Sequence, residues 1–352
     1  MPEGSVAPVG INVENVSAWL TESVDGLIGP FQFDLVAGGR SNLTYRVTDA
    51  KGRSVALRRP PTSHVLPTAH DMVREHTILS ALGPTDVPVP VTLALCSDPS
   101  VNDSPFYVME FVEGHILRDD TEAERAFSVD TRAAIGPNLA TTLASLHAVD
   151  VDAIGLGDLA RKEGYIARQL KRWRGQYEQM RVEGVDHGGL VERVGDALAA
   201  KIPVQQGASI VHGDYRLDNT ALNDDGSVQA ILDWEICTLG DPLADLGLLL
   251  VYWAEPSDAS VALLGAAPTT APGFSSRADI LAAYGDASDR DLSAIAYYQA
   301  FGYWKLACIL QGVFARYAAG AGAGDTGSVE AFPKHVALLA QTAETTLEGA
   351  NL

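Results

Sequence analysis

The chain has 352 residues with a formal net charge of −20, and 47% of its residues are hydrophobic while 20% are charged. This length is sufficient for two lobes or domains. The acidity argues against a general nucleic-acid binder, because the phosphate backbone would be repelled. Three widely spaced cysteines, which form no metal-type pair, are expected as buried thiols in a reducing compartment.

The amino-terminal segment MPEGSVAPVG lacks a basic stretch followed by an apolar core. No signal peptide is therefore expected. The most apolar run, Leu246 to Ala254, is too short to cross a bilayer. These features predict a cytoplasmic protein without membrane or nucleic-acid partners.

The first predicted element is a helix, because apolar residues recur at helical spacing from Val13 to Val24. Three strands follow between Phe31 and Arg58, with glycine turns at Gly38-Gly39 and Lys51-Gly52. A glycine turn lets backbone N–H groups approach phosphates, although an ordinary hairpin has the same pattern. The candidate phosphate contacts at the first turn are Gly39, Arg40, Ser41 and Asn42.

The third strand ends in Val-Ala-Leu-Arg and has the shape of the Val-Ala-Ile-Lys strand of kinases, with Arg58 in the place of the phosphate-binding lysine. A helix predicted from Ala69 to Leu82 carries Glu75. This glutamate would either pair with the strand cation or lie exposed beside Arg74. The segment from Phe106 to Val112 is predicted as the last strand of this region plus a hinge, and its backbone from Glu110 to Val112 would hydrogen-bond an adenine.

After Gly114 the pattern becomes mostly helical, beginning with a helix from Ile135 to His147. The segment from Arg161 to Arg181 combines an apolar stripe at helical spacing with seven of the 25 basic residues of the chain. It is either an amphipathic helix with a solvated basic face or a basic wall for an anionic acceptor, such as a phosphorylated or coenzyme A-bearing substrate. The acceptor-site candidates are Lys171, Arg172 and Trp173, with Lys305 and Arg316 from a later apolar helix.

The stretch from Val211 to Glu235 contains the candidate catalytic and metal-binding residues. Phosphoryl transfer requires an acceptor hydroxyl held in line and cations that absorb charge on the transferring oxygens. Asp214 can accept the hydroxyl proton. Asn219 and Asp233 supply the hard oxygen ligands that magnesium takes. A turn at Asn223 to Gly226 predicts a hairpin that brings these two ligands side by side.

The motifs HGDYRLDN, LDWE and GDPLADLG resemble those of the aminoglycoside phosphotransferase-like, choline kinase-related branch of the protein kinase-like fold. The segments RRPP, LDWEICTLGDPLADL, GFSSR and YWKLACILQGV look most like the kinase domain associated with acyl-CoA dehydrogenases. The resemblance implies an α+β, two-lobed fold with a nucleotide-binding lobe at residues 1–112 and a catalytic and acceptor-binding lobe at residues 113–352. It also implies ATP or GTP with Mg²⁺ as cofactors.

By the same resemblance, Asp214 is the catalytic base and His212 braces the catalytic loop. Asn219 and Asp233 are the magnesium ligands, and two further aspartates, at positions 241 and 245, anchor the loop. The chain departs from the kinase pattern in two places. Arg58 replaces the lysine, and Glu235 replaces the glycine of the Asp-Phe-Gly motif, which argues against protein-kinase-style switching of that segment.

The resemblance leaves several functions open. The favoured one is ATP-dependent phosphorylation of a small-molecule hydroxyl, with a hydroxyacyl-CoA-type acceptor and a functional link to an acyl-CoA dehydrogenase. An aminoglycoside acceptor is the first alternative. A nucleotide-binding pseudokinase is the second, and Arg58 is the feature that favours it. A protein kinase is disfavoured, because no Ala-Pro-Glu motif follows Asp233.

Overall fold

The computed structural model describes residues 8–36, 42–62, 71–258, 267–320 and 329–350. The chain divides into two compact units. The first contains Met1–Gly114 together with Gln229–Glu235, and the second contains His115–Val228 together with Ile236–Leu352. The segment that carries Asp233 therefore groups with the first unit, whereas the boundary drawn from sequence assigns it to the carboxy-terminal lobe.

The first unit is built on an antiparallel five-stranded sheet in the order β1-β2-β3-β5-β4. Helix α1 (Val13–Ser23) packs in one core with alternate residues of the central strands. Successive side chains of a strand point to opposite faces, so Leu57 enters this core and Arg58 lies on the other face. The remaining elements are β1 (Gln32–Leu35), β2 (Leu43–Thr48), β3 (Ser54–Arg59), α2 (Met72–Leu82), β4 (Thr92–Cys96) and β5 (Phe106–Glu110).

The predicted elements of this unit are largely confirmed. The first helix and three strands are present, and the turn at Lys51-Gly52 forms with Gly52 at φ 85°. Helix α2 begins later than predicted because the Asp71 side chain caps it by accepting the Arg74 amide. Strand β5 ends at Glu110, where the predicted hinge begins. The first glycine turn lies outside the described residues.

The second unit is mainly helical. Its helices are α3 (Asp120–Ala126), α4 (Val129–Ala148), α5 (Tyr165–Gln179), α6 (Leu190–Ala200), α7 (Leu243–Tyr252), α8 (Arg277–Asp286), α9 (Ile295–Ala318) and α10 (Phe332–Gly349). Helix α4 starts six residues before the predicted Ile135, because Ser128 caps it and Pro137 is accommodated inside it. Helix α5 is shorter than the predicted basic segment, beginning after Gly164 at φ 62°.

Helix α9 is the centre of this unit and packs against α5, α7 and α10. Its approach to α7 is close because Gly247 has no side chain. A Cβ atom at Gly247 would lie 2.5 Å from the backbone carbon of Tyr298. Close packing of these two helices fixes α7, whose first turn carries Asp245.

Short strands position the stretch from Val211 to Glu235, which contains the candidate catalytic and metal-binding residues. Strand β6 (Ser209–Val211) pairs antiparallel with β9 (Thr238–Gly240), and a single 3₁₀ turn covers Leu217–Asn219. Strand β7 (Thr220–Leu222) is followed by a tight turn, in which the Asn223 amide donates to the Ser227 carbonyl at 2.9 Å. Strand β8 (Val228–Ile231) continues the chain towards Asp233. The predicted Gly226 turn is therefore present, with Gly226 at φ 79°.

Candidate active site

Asp245 holds the loop that follows β6. The His212 amide donates to Asp245 Oδ2 at 2.6 Å and the Gly213 amide donates to Asp245 Oδ1 at 2.8 Å. Burial would raise the pKa of the Asp245 carboxyl, but hydrogen bonding and charge from His147, with further help from His212, hold it below the ordinary value. The carboxylate form thus anchors the loop.

Asp214 is fixed on several sides yet remains accessible. Asn219 Nδ2 donates both to Asp214 Oδ2, at 2.8 Å, and to the Asp214 carbonyl, at 2.9 Å. Arg216 Nε lies 3.2 Å from Asp214 Oδ1, and the Asp214 side chain is 25% exposed. A carboxylate that is oriented by neighbours and open to solvent can accept a proton from a small molecule.

The same contacts orient Asn219. Because its Nδ2 is committed to Asp214, its Oδ1 is the atom left for a cation. His212 is completely buried, and its Nδ1 accepts the Asp214 amide at 3.3 Å. This contact fits the predicted role of His212 in bracing the loop backbone, and its inclusion with Asp214 as a catalytic residue stays a prediction.

A buried cation lies behind the loop. Lys305 Nζ donates to the Gly213 carbonyl at 3.0 Å and stands 5.7 Å from the centre of the Trp173 ring. Burial lowers the pKa of Lys305, while Asp245 and Asp214 act in the opposite direction. The Arg172 guanidinium also lies against Trp173, at 5.1 Å. Three of the predicted acceptor residues, Arg172, Trp173 and Lys305, are thus gathered near Asp214.

The other two acceptor candidates are not placed there. Lys171 is exposed on α5, and Arg316 is exposed in the last turn of α9, eleven residues beyond Lys305. Eleven residues of helix correspond to about 16 Å. The proposed basic wall is also partly neutralised, since Arg174 bonds Asp196 at 2.6 Å and Arg181 pairs with Glu192. Of the two cations at positions 171 and 172, Arg172 is the one whose position near the loop fits acceptor binding.

Sequence reasoning did not identify a cavity of about 360 Å³ beside the catalytic loop. Arg216, Leu217 and Asp218 line one side of it, and Tyr252 lines another. Burial and then the nearby Asp214 charge raise the pKa of the Tyr252 phenol, so this cavity residue lies close to Asp214. The remaining lining is mostly aliphatic and aromatic, and includes Leu306, Ile309 and Leu310 of α9 and Leu339 of α10.

The i, i+3, i+4 spacing of Leu306, Ile309 and Leu310 was the signal for an apolar face on α9. All three side chains are only half-buried, although most of the helix around them is buried. Periodicity alone could not separate a packed face from a cavity wall. The distinction depends on which other residues fill the space.

In the first unit, Arg58 connects two carboxylates at once. Its Nε donates to Glu75 Oε2 at 2.9 Å, one terminal nitrogen donates to Thr44 Oγ1 at 3.2 Å, and the other lies 2.5 Å from Asp233 Oδ1. A guanidinium has five N–H groups, and these contacts use three of them. The arginine fork thus holds Glu75 and Asp233 together, and its contact with phosphates stays a prediction.

Glu75 pairs with Arg58 and is not the exposed helix residue of the alternative interpretation. It is 1% exposed, and the Tyr107 hydroxyl donates to it at 3.0 Å. Burial raises the pKa of Glu75, although the Arg58 charge and the Tyr107 hydrogen bond oppose this rise. Burial acts to lower the pKa of Arg58, but the surrounding carboxylates outweigh it and raise that pKa, so the guanidinium stays charged.

Asp233 has an unusual backbone. It is the one non-glycine residue with a positive φ, 62°, in the described part of the chain. Such conformations cost free energy and persist where the surroundings fix them, often at functional sites. Arg58 contacts Asp233 Oδ1, and within the described residues Oδ2 is left for another ligand. The oxygens of Asp233 and Asn219 are chemically suited to Mg²⁺, which takes hard oxygen ligands together with phosphates and water.

The predicted phosphate and adenine contacts are only partly described. Gly39, Arg40 and Ser41 lie outside the described residues. Asn42 is buried, and its side-chain Nδ2 donates to Glu75 and Glu235. Its predicted role as a phosphate contact stays a prediction. The Glu110 amide donates to the Val91 carbonyl at 2.8 Å, so this amide is committed within the protein. The role of Val112 stays a prediction.

The described residues contain no helix that combines the length and the apolarity needed to span a membrane.

A strand-borne cation paired with a helical glutamate, followed by a loop aspartate with a neighbouring asparagine, is the residue pattern of protein kinase-like phosphotransferases. Comparison with known sequences gives the family. The profile of the phosphotransferase enzyme family matches residues 33–280. The chain belongs to this family.

Individual relatives agree with this assignment. Mouse acyl-CoA dehydrogenase family member 10 is 34% identical over 298 residues, which cover 82% of this chain but 27% of that protein. The chain thus spans about a quarter of this relative's length. The crystal structure of a Ralstonia eutropha protein assigned as an aminoglycoside phosphotransferase is 31% identical, with a TM-score of 0.80, covering 96% of this chain and 98% of that one. Choline kinase from Cryptosporidium parvum shares the fold, with a TM-score of 0.63 at 12% identity over 96% of this chain and 95% of the kinase.

Proposed function

We propose that this protein transfers the γ-phosphoryl group of ATP to a hydroxyl group of a small molecule, and that the acceptor is of the hydroxyacyl-CoA type. Asp214 orients the acceptor hydroxyl and takes its proton. Arg58 binds the nucleotide phosphates, and Asn219 and Asp233 hold Mg²⁺. When bound, Mg²⁺ neutralises charge on the phosphate oxygens.

The observation that carries the proposal is the environment of Asp214. Its carboxylate is oriented by Asn219 and Arg216 on a loop anchored through Asp245, and a quarter of its side chain remains exposed. A purely structural aspartate in a loop would have its oxygens satisfied inside the fold. An oriented, accessible carboxylate beside a cavity is the geometry expected of a base that accepts a hydroxyl proton.

Two features near Asp214 favour an acceptor that is partly apolar and partly anionic. The cavity beside Tyr252 has mostly apolar walls, which suit an aliphatic chain. Lys305 and Arg172 are positive and lie near the same loop. A polycationic aminoglycoside would meet both cations unfavourably. The relation to an acyl-CoA dehydrogenase family member supports the same class of acceptor.

An aminoglycoside acceptor remains the second candidate, because the Ralstonia eutropha structure with that assignment is similar over nearly the whole chain. Initial rates with ATP and Mg²⁺ should be compared for 4-hydroxyacyl-CoAs, the free hydroxy acids and kanamycin-type sugars. We expect the highest kcat/KM for a hydroxyacyl-CoA. Turnover of kanamycin together with inactivity towards all 4-hydroxyacyl-CoAs would establish the alternative.

The cavity gives a more specific prediction. Leu310→Trp fills the space, so kcat/KM for an acceptor with a long aliphatic chain should fall by about 10- to 100-fold, while the KM for ATP is retained. Val313→Trp is the matched control, since Val313 is also half-buried on α9 but does not line the cavity. Equal losses in both variants would show that the cavity is not part of the acceptor site.

Arg172 gives a second prediction for the acceptor. Arg172→Glu places a negative charge against Trp173 and should raise the KM for an anionic acceptor by about ten-fold, leaving the KM for ATP unchanged. Lys171→Glu is the control on the adjacent exposed position. If charge reversal at Arg172 has no more effect than at Lys171, helix α5 has only a solvated basic face.

A further inference from the structure

Asn42 stands between two carboxylates of the first unit. It is 1% exposed, and its Nδ2 donates to Glu75 Oε1 and to Glu235 Oε2, both at 3.0 Å. A side-chain amide has two N–H groups. Both are therefore committed, one to helix α2 and one to the segment that carries Asp233.

The charges explain why such a group is needed. Glu75 and Glu235 approach the same nitrogen, and Asp233 adds a third carboxylate around the single guanidinium of Arg58. Like charges at this separation repel strongly where solvent is largely excluded. The side chains of Glu75 and Glu235 are only 2% and 19% exposed. The two N–H donors of Asn42 offset part of this repulsion without adding a charge.

The segment from Asp233 to Glu235 is held at each of its three side chains. Asp233 bonds Arg58, Trp234 is buried with its Nε1 donating to the Ile231 carbonyl at 3.0 Å, and Glu235 accepts from Asn42. The positive φ of Asp233 requires such external support. Glu235 can reach Asn42 because it has a side chain, whereas a glycine at this position would offer no acceptor.

We propose that Asn42 is a positioning residue that acts through Glu235 to hold Asp233 in the conformation in which it binds Mg²⁺. The proposal rests on the magnesium role of Asp233 in the proposed function. It gives a structural role to Glu235, the residue that departs from the Asp-Phe-Gly pattern. Through Asn42, Glu235 links the metal-binding segment to the glutamate that pairs with Arg58, a link that a glycine could not make.

The test is ATP binding measured by calorimetry with and without Mg²⁺, so that no turnover is needed. Asn42→Leu keeps the approximate shape of the side chain and removes both donors. We expect the Mg²⁺-dependent gain in ATP affinity to fall by about ten-fold or more, since outer ligands of metal sites have effects of this size. ATP affinity without Mg²⁺ should change little. An unchanged gain overturns the proposal.

Two further variants separate positioning from a general loss of structure. Asn102→Leu is the matched control, because Asn102 is a buried amide of the same unit, 3% exposed and bonded to the Asn12 amide. It should lower the melting temperature without affecting the Mg²⁺-dependent gain. In a double-mutant cycle, Asn42→Leu should add little to Glu235→Ala, because both remove the same link. Additive losses would contradict action through Glu235.

If Asn42→Leu fails to fold, Glu235→Gln tests the same link. It keeps an acceptor for Asn42 but removes the charge, and should retain most of the gain that Glu235→Ala loses; equal losses in the two variants would overturn the proposal. Failure of the proposed function gives a different result. If the ATP affinity of the wild-type protein is independent of Mg²⁺, the proposed role of Asp233 as a Mg²⁺ ligand is contradicted.

Discussion

Asp214→Asn is expected to reduce kcat by about 10³-fold while leaving ATP affinity within about two-fold of wild type. The asparagine can still accept the hydrogen bond from Asn219 but cannot take the hydroxyl proton. The measurement is steady-state ADP release with Mg-ATP and the best acceptor, together with calorimetric ATP binding. A loss of ATP affinity as large as the loss of kcat would show that Asp214 serves nucleotide binding.

Asp218→Asn is the control for this experiment. Asp218 lies 2.9 Å from Arg216 Nε, the same group that contacts Asp214. Loss of a negative charge beside Arg216 is therefore common to both variants. Because Asp218 also lines the cavity, the comparison is made at saturating acceptor, where we expect Asp218→Asn to retain most of kcat. A loss comparable to that of Asp214→Asn would assign the effect to Arg216 and not to a base.

Asp233→Ala is expected to abolish the Mg²⁺ dependence of ATP binding, a loss of at least about 100-fold in metal-dependent affinity. The substitution removes the carboxylate oxygen that faces away from Arg58. Metal-free ATP affinity should be retained or should increase, because Arg58 loses a competing carboxylate. Similar affinities with and without Mg²⁺ in wild type as well as in the variant would contradict the role of Asp233.

Asp225→Ala provides the control for Asp233→Ala. Asp225 lies in the turn before β8 and bonds only its neighbour Ser227 among the described residues. Its removal should leave both ATP affinities unchanged. The pair of variants separates loss of a ligand from loss of one charge in this acidic chain.

Much of the fold could be predicted because local signals agreed with the tertiary structure. The alternating strand that ends at Arg58 has one face in the core, and the sequence therefore fixes which face Arg58 occupies. Asp214 and Asn219 are separated by a single short 3₁₀ turn, so their spacing in sequence nearly determines their spacing in the fold. Such short connections leave few alternatives.

The remainder depended on contacts between distant residues. Asn42 is predicted as a phosphate donor because it adjoins the glycine turn. The two carboxylates that occupy its side-chain N–H groups, Glu75 and Glu235, lie far from it in sequence. Lys171 and Arg172 are neighbours in sequence, but the direction of each side chain decides which one lies on Trp173. The cavity is the clearest case, since empty space beside α9 leaves no local pattern.

The pseudokinase alternative rests on Arg58, and the geometry weakens it. A lysine has three N–H groups on one atom, whereas the arginine fork bonds Glu75, Thr44 and Asp233 from separate nitrogens and retains two N–H groups. Arg58 is thus compatible with both the structural pair and phosphate binding. Catalysis is therefore the outcome that the site supports.

Phosphoryl transfer to a hydroxyl group is tested most directly by ³¹P NMR of the wild-type protein incubated with ATP, Mg²⁺ and a 4-hydroxyacyl-CoA. The proposed function predicts a new phosphomonoester signal that grows as the γ-phosphate signal of ATP declines, and that is absent with Asp214→Asn. Bound Mg-ATP that yields no phosphomonoester with any hydroxyl acceptor would contradict it.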